Sequence, residues 1–108
     1  MAFDALDASL ALVPHLKKPV ARIARCDRSL ATQIRRAAAS VALNLAEGRR
    51  RIGGDRLQSW RVAAGSNAEC RAALEVAIGW GWIRAAEVAE AMALHDRLAA
   101  MLHRMTRS

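Results

Sequence analysis

The chain has 108 residues, which suits one domain, and 54% of them are hydrophobic, enough for a core. Six glycines, two prolines, no tyrosine and few β-branched residues argue against a strand-rich fold and favour helix throughout. The net charge of +7 points to a polyanion among the candidate partners; no apolar run reaches the ~18 residues of a membrane span, so a cytoplasmic protein without a membrane partner is expected.

The first predicted helix runs from about Asp4 to Arg25. Leu6, Leu10, Val13, Lys17, Val20 and Ala24 step by three and four along it, with Leu12, Leu16 and Ile23 beside them. Pro14 and Pro19 lie inside this stretch, so the helix is kinked or split; the unbroken stripe favours one kinked helix. Asp4 and Asp7 stand where a secretory leader would carry basic residues, and no leader is expected.

The second helix starts near Asp27 or Ser29, both good N-caps, and runs to Glu47. Gly48 is expected just past its end, in the left-handed position that closes many helices. The loop RRRIGG follows, so Arg49, Arg50 and Arg51 are expected on a loop. The third helix runs from near Asp55 to about Trp80, and GWGWI breaks it. The fourth runs from about Arg84 to Met105, with Val88, Met92, His95, Leu98, Leu102 and Met105 as its stripe. Four such helices with short connections predict an all-α, antiparallel up-down-up-down four-helix bundle in a single domain spanning residues 1–108. Much of the apolar content is alanine, which buries little area, so a lone bundle gains from self-association.

The charge is concentrated. Residues 15–36 hold Lys17, Lys18, Arg22, Arg25, Arg28, Arg35 and Arg36 against Asp27, for a net +6. Residues 37–61 add Arg49, Arg50, Arg51, Arg56 and Arg61 for a net +3. Two groups are the nucleic-acid-binding candidates: Arg49, Arg50, Arg51 and Arg56 around the second connection, and Lys17, Lys18, Arg22 and Arg25 on the first helix.

Polar residues also line up within the helices. Gln33, Ser40, Asn44 and Glu47 share one face of the second helix beside the apolar Ile34, Ala38, Val41 and Leu45. Ser66 and Glu69 sit among small apolar residues on the third, along a line through Val62, Ala73 and Val76. A carboxylate there costs several kcal/mol unless paired. If Gly48 and Asp55 flank the turn, Glu69 lies within a turn of Arg35 and Arg36. Arg36 is the preferred partner, because it shares a side with Ser40 and Glu47 and its fork suits a carboxylate.

Dedicated chemistry is not legible. His15, His95 and His103 lack the Glu-x-x-His spacing of diiron bundles, and no Cys/His cluster suits zinc, so no metal or cofactor is expected. Cys26 and Cys70 are expected to remain free thiols. GRRRIGGDR lacks Walker spacing. No glycine-rich oxyanion loop or nucleophile elbow appears. His95 reads as a hydrogen-bonded core residue and His103 as exposed. Trp80 and Trp82, at a helix end, could cover the bundle mouth, anchor a subunit contact or stack on a nucleobase.

QIRRAAASVALNLAEG followed by AAGSNAECRAALEVAIGWGWI resembles the small four-helix-bundle proteins encoded in intervening sequences of bacterial large ribosomal RNA genes, a superfamily that includes the accessory protein of diversity-generating retroelements. The family's pattern falls on Arg35, Arg36, Ala37, Ser40, Asn44, Ala46, Glu47 and Gly48, then Gly65, Ser66 and Glu69. The chain departs from it with prolines in the first helix and a Trp where Phe is usual near position 60. The resemblance implies a homopentameric ring, no enzymatic activity and, by analogy with the retroelement relatives, binding of RNA, DNA or a nucleic-acid enzyme through a basic surface. The alternative is an oligomer that binds another protein, with its charge incidental.

Overall fold

The computed structural model describes residues 3–107, and among them four α-helices and no strand are found. Helix α1 spans Ala5–Cys26, α2 Arg28–Arg50, α3 Gly53–Gly79 and α4 Ala89–Thr106, the last preceded by a 3-10 turn, Ala85–Val88. Helix α1 packs on α2 and α4, and α3 packs on the same two, so the four surround one core.

Helix α1 opens with a capping box: the Asp4 carboxylate accepts from the Asp7 N–H at 2.9 Å, and Asp7 returns the bond to the Asp4 N–H at 3.0 Å. It runs unbroken through Pro14 and Pro19. These prolines remove the partners of the Leu10 and His15 carbonyls, and both of those residues lie at the surface, where water can take the bond. Asp27 ends α1 and starts α2: its N–H reaches the Ile23 carbonyl at 2.8 Å while its carboxylate accepts from the Leu30 N–H at 2.9 Å. One residue thus closes one helix and opens the next.

Two expectations about the next connection are corrected. Helix α2 does not stop at Glu47 but continues to Arg50, so Arg49 and Arg50 are helical, and Gly48 is a buried interior residue. A Cβ on Gly48 would come within 2.5 Å of Trp60 Nε1 and 2.7 Å of its Cδ1; glycine is there to admit the indole. Helix α3 begins at Gly53, two residues before Asp55.

The core also rotates two of the expected stripes. In α1 the buried line is Ala8, Leu12, Leu16, Val20 and Ile23, whereas Leu10 and Val13 are 55% and 51% exposed. In α3 it is Ser59, Ala63, Asn67, Cys70, Leu74 and Ala77, one position away from the line through Ser66 and Glu69. The α4 stripe agrees with the sequence reading, with Val88, His95, Leu98 and Leu102 buried. No helix among the described residues is long and apolar enough to cross a membrane.

Candidate functional site

The polar motif divides into a seam and a surface. Ser40 and Asn44 are half-buried between α2 and α3. Ser66 Oγ hydrogen-bonds Ser40 Oγ at 2.8 Å, and Asn44 Nδ2 donates to the Ser40 carbonyl at 2.9 Å and to Ser40 Oγ at 3.1 Å. These bonds satisfy groups where two alanine-rich helices approach, and no nucleophile–base pair is formed. The Cys70 thiol points at the Ile34 carbonyl, 3.8 Å away, and burial pushes its pKa up to about 12, so it is inert at neutral pH. Cys26 is an exposed free thiol.

Glu69 does not make the expected ion pair. It is exposed, as are Arg35 and Arg36, and none of the three has an ion-pair partner among the described residues. The Ser66–Ser40 and Cys70–Ile34 contacts place α3 against α2 within a turn of the expected level, so the error lies in rotation about α3. The core face of α3 carries the polar residues Ser59 and Asn67, and Asn67 is the more deeply buried. Asn67 reaches across to α4. It donates from Nδ2 to the His95 carbonyl at 3.0 Å and faces His95 Nδ1 with Oδ1 at 2.7 Å. Because Oδ1 can only accept, Nδ1 carries the ring proton. Nε2 is then a buried lone pair with no partner among the described residues. Burial is the main cause that lowers the His95 pKa to about 4. His103 is exposed.

Three arginines of the α2–α3 connection are engaged with the protein itself. Arg49 pairs with Asp4, and Arg51 Nε meets Glu47 at 2.8 Å. That hydrogen bond holds the Glu47 carboxyl below its ordinary range. Arg56 does not sit as a misplaced cation at the α3 N-terminus. Its Nε reaches back to the Gly48 and Arg51 carbonyls at 3.0 and 2.8 Å, against the negative end of α2. It also lies over the Trp60 ring, 5.6 Å from the centroid.

The first-helix cations are placed differently. Lys17, Lys18 and Arg25, with Arg28 at the start of α2, are exposed and have no carboxylate partner among the described residues. Arg22 meets Glu87 at 2.6 Å, and Arg84 approaches the same oxygen at 3.5 Å. The Arg22 hydrogen bond keeps Glu87 ionised by lowering its pKa. Lys18, Arg22, Arg25 and Arg84 line a 620 Å³ groove between α1 and the 3-10 turn, in which Glu87 is the one acid. A second groove, of 660 Å³, lies between α1 and α2. It is apolar, lined by Val13, Pro14, Val20, Ile34 and Ala38, with Lys17 and Arg35 at its margins. Among the described residues no three His, Cys, Asp or Glu side chains gather into a metal-holding group.

A helical protein with a polar seam, a basic groove and an apolar groove is the class that these features define. Residues 6–104 match the family of 23S rRNA-intervening sequence proteins, and the chain belongs to that family. No curated protein and no solved structure matches it.

Proposed function

We propose that the protein is a non-enzymatic, self-associating scaffold that binds nucleic acid through the cations of α1 and the start of α2. The observation carrying this reading is the contrast between the two basic clusters. Arg49, Arg51 and Arg56 direct their charge to Asp4, Glu47 and the end of α2, whereas Lys17, Lys18, Arg25, Arg28, Arg35 and Arg36 are exposed and have no carboxylate partner among the described residues. Unneutralised cations are what phosphates displace counterions to reach. Arg50, exposed beside the first cluster, remains a lesser contributor.

The helices run in alternating directions in this reading. Contacts pairing Arg56 with Gly48, Ser66 with Ser40 and Cys70 with Ile34 support it for α2 and α3: numbers rise on one helix as they fall on the other. Self-association rests on the apolar groove between α1 and α2, which Val13 lines, and on exposed Leu10 of α1, with five subunits as the family resemblance implies. The compartment proposed is the cytoplasm.

The test is fluorescence anisotropy with labelled RNA and DNA at two salt concentrations. Wild type should bind both with little sequence preference, and affinity should fall steeply with salt. Lys17, Lys18 and Arg25→Ala together should weaken binding at least tenfold, whereas Arg49, Arg50 and Arg51→Ala should weaken it less. No binding by wild type at low salt would leave the alternative, an oligomer that engages another protein.

A further inference from the structure

Trp80 is the most exposed large aromatic among the described residues, at 69%, and it does not stand alone. Its ring stacks on Trp82 with centroids 5.8 Å apart and planes 12° from parallel. Trp82 is half-buried against the core. The turn is held by backbone bonds from Gly81 N–H to the Ile78 carbonyl at 2.9 Å and from Trp82 N–H to Ala77 at 3.0 Å. Gly81 sits at φ +76, a conformation that glycine alone adopts readily. Trp80 is therefore a flat apolar surface on a fixed support, with its outer face open to water.

Its neighbourhood is cationic. Cys70 lies level with Ile34, so Trp80, ten residues and ~15 Å further along α3, reaches the start of α2 and the end of α1. Arg25 and Arg28 are there. Arg84 follows four residues after Trp80 and lines the basic groove with Lys18, Arg22 and Arg25. The nearby acids are occupied: Asp27 caps Leu30, and Glu87 holds Arg22 and Arg84. An exposed indole ringed by carboxylates or apolar side chains would suit another protein. One at an end of the bundle rich in guanidinium groups suits an aromatic ring that carries phosphate.

We propose that this end of the bundle binds single-stranded nucleic acid, stacking one unpaired base on Trp80 while Lys18, Arg25 and Arg84 hold the flanking phosphates. This deepens the proposed nucleic-acid reading and rests on it. A duplex hides its base faces and would use the phosphate contacts alone, so the site discriminates strand state more than sequence. The stacking is independent of the sugar, and both RNA and DNA strands fit its chemistry.

The experiment titrates the full chain with oligo-uridine, oligo-thymidine and a DNA duplex of equal length, reading anisotropy and tryptophan fluorescence. Single strands should bind at least tenfold tighter than duplex and quench the tryptophan emission. Trp80→Ala should lower single-strand affinity about tenfold, leave duplex affinity unchanged and abolish most of the quenching, while Trp80→Phe retains an intermediate affinity. Arg25→Ala with Arg84→Ala should weaken every ligand and flatten the salt dependence. Whichever sugar binds tighter identifies the strand the site takes. Duplex and single strand binding equally, or Trp80→Ala binding single strands like wild type, would overturn the stacking site while leaving the wider reading standing. Trp80→Ala changing the oligomeric mass would assign the ring to a subunit contact and overturn it likewise. No binding of any strand by wild type would remove both.

Discussion

At His95 a single hydrogen bond decides the behaviour of the core. Asn67 fixes the proton on Nδ1, and protonating buried Nε2 would place a full charge where no carboxylate touches it. The ionisable groups that act on the ring are Arg71, whose charge disfavours protonation, and Asp96, whose charge favours it less strongly. The folded pKa of about 4 lies below the ordinary histidine value of ~6.5. The unfolded chain therefore binds a proton before the folded one does as pH falls. The resulting stability is complete above pH ~6.5 and lost progressively down to about 4, amounting to roughly 3 kcal/mol. Urea unfolding at pH 7 and pH 4.5 should show the wild type losing more stability than His95→Gln, which cannot titrate. Equal losses would place the titration elsewhere. Gly48 carries a second residue-scale prediction. Alanine in a helix interior gains up to ~1 kcal/mol over glycine, but here its Cβ must displace the Trp60 indole from 2.5 Å. Overpacking costs ~1–3 kcal/mol, so Gly48→Ala should lower the melting temperature. Trp60→Phe should be tolerated, because it also removes a buried indole N–H that has no partner among the described residues. Gly48→Ala in that background should then cost less than it does beside Trp60.

At the scale of elements, the end of α2 depends on a residue from α3. Arg56 bonds the Gly48 carbonyl, which also accepts the Arg51 N–H at 3.2 Å, and the Arg51 carbonyl just past the end of the helix. Arg56→Ala should destabilise by ~1–2 kcal/mol, since hydrogen bonds from a charged donor are worth more than neutral ones. Amide exchange should accelerate at residues 49–52 before it does in the core. Unchanged protection there would mean that the turn holds itself. This contact explains what the sequence could and could not disclose. Asp4 and Asp27 announced helix starts, and the α4 stripe was visible because its large residues lie on one side. Gly48 looked like a terminator, yet its purpose is a packing contact with a residue twelve positions away, which no local pattern encodes. Helix α3 hid its core face for a different reason: alanine and valine surround it, so apolar spacing fits more than one rotation. Asn67 lies mid-stripe between Ala63 and Cys70, and a polar residue there was the available signal that a buried partner waits on α4.

At the scale of the whole molecule, two pairs of exposed apolar residues lie on different helices, α1 and α3. Leu10 and Val13 are exposed on α1, and Val13 lines the groove between α1 and α2. Val62 and Val76 are also exposed and lie on the α3 line through Glu69. A closed ring needs two unlike faces per subunit, because each copy meets one neighbour with one patch and the next with the other. A two-fold dimer needs a single self-complementary face. The two arrangements predict different responses to substitution. Light scattering should give about 58 kDa for a ring of five 11.7 kDa chains. Val13→Asp and Val76→Asp should each abolish the ring, since either charge spoils one of the two patches. Mixed together, the variants retain one good patch of each kind and should form a heterodimer and nothing larger. A dimer that Val13→Asp disrupts and Val76→Asp leaves intact would establish a single self-complementary face. A wild-type monomer at micromolar concentration would remove self-association altogether. In a ring, the basic groove between α1 and the 3-10 turn would repeat once per subunit, so a single strand long enough to cross two subunits should bind far more tightly than one that reaches a single groove. Lengthening the oligonucleotide should therefore raise wild-type affinity stepwise, and the heterodimer of variants should gain from one step at most.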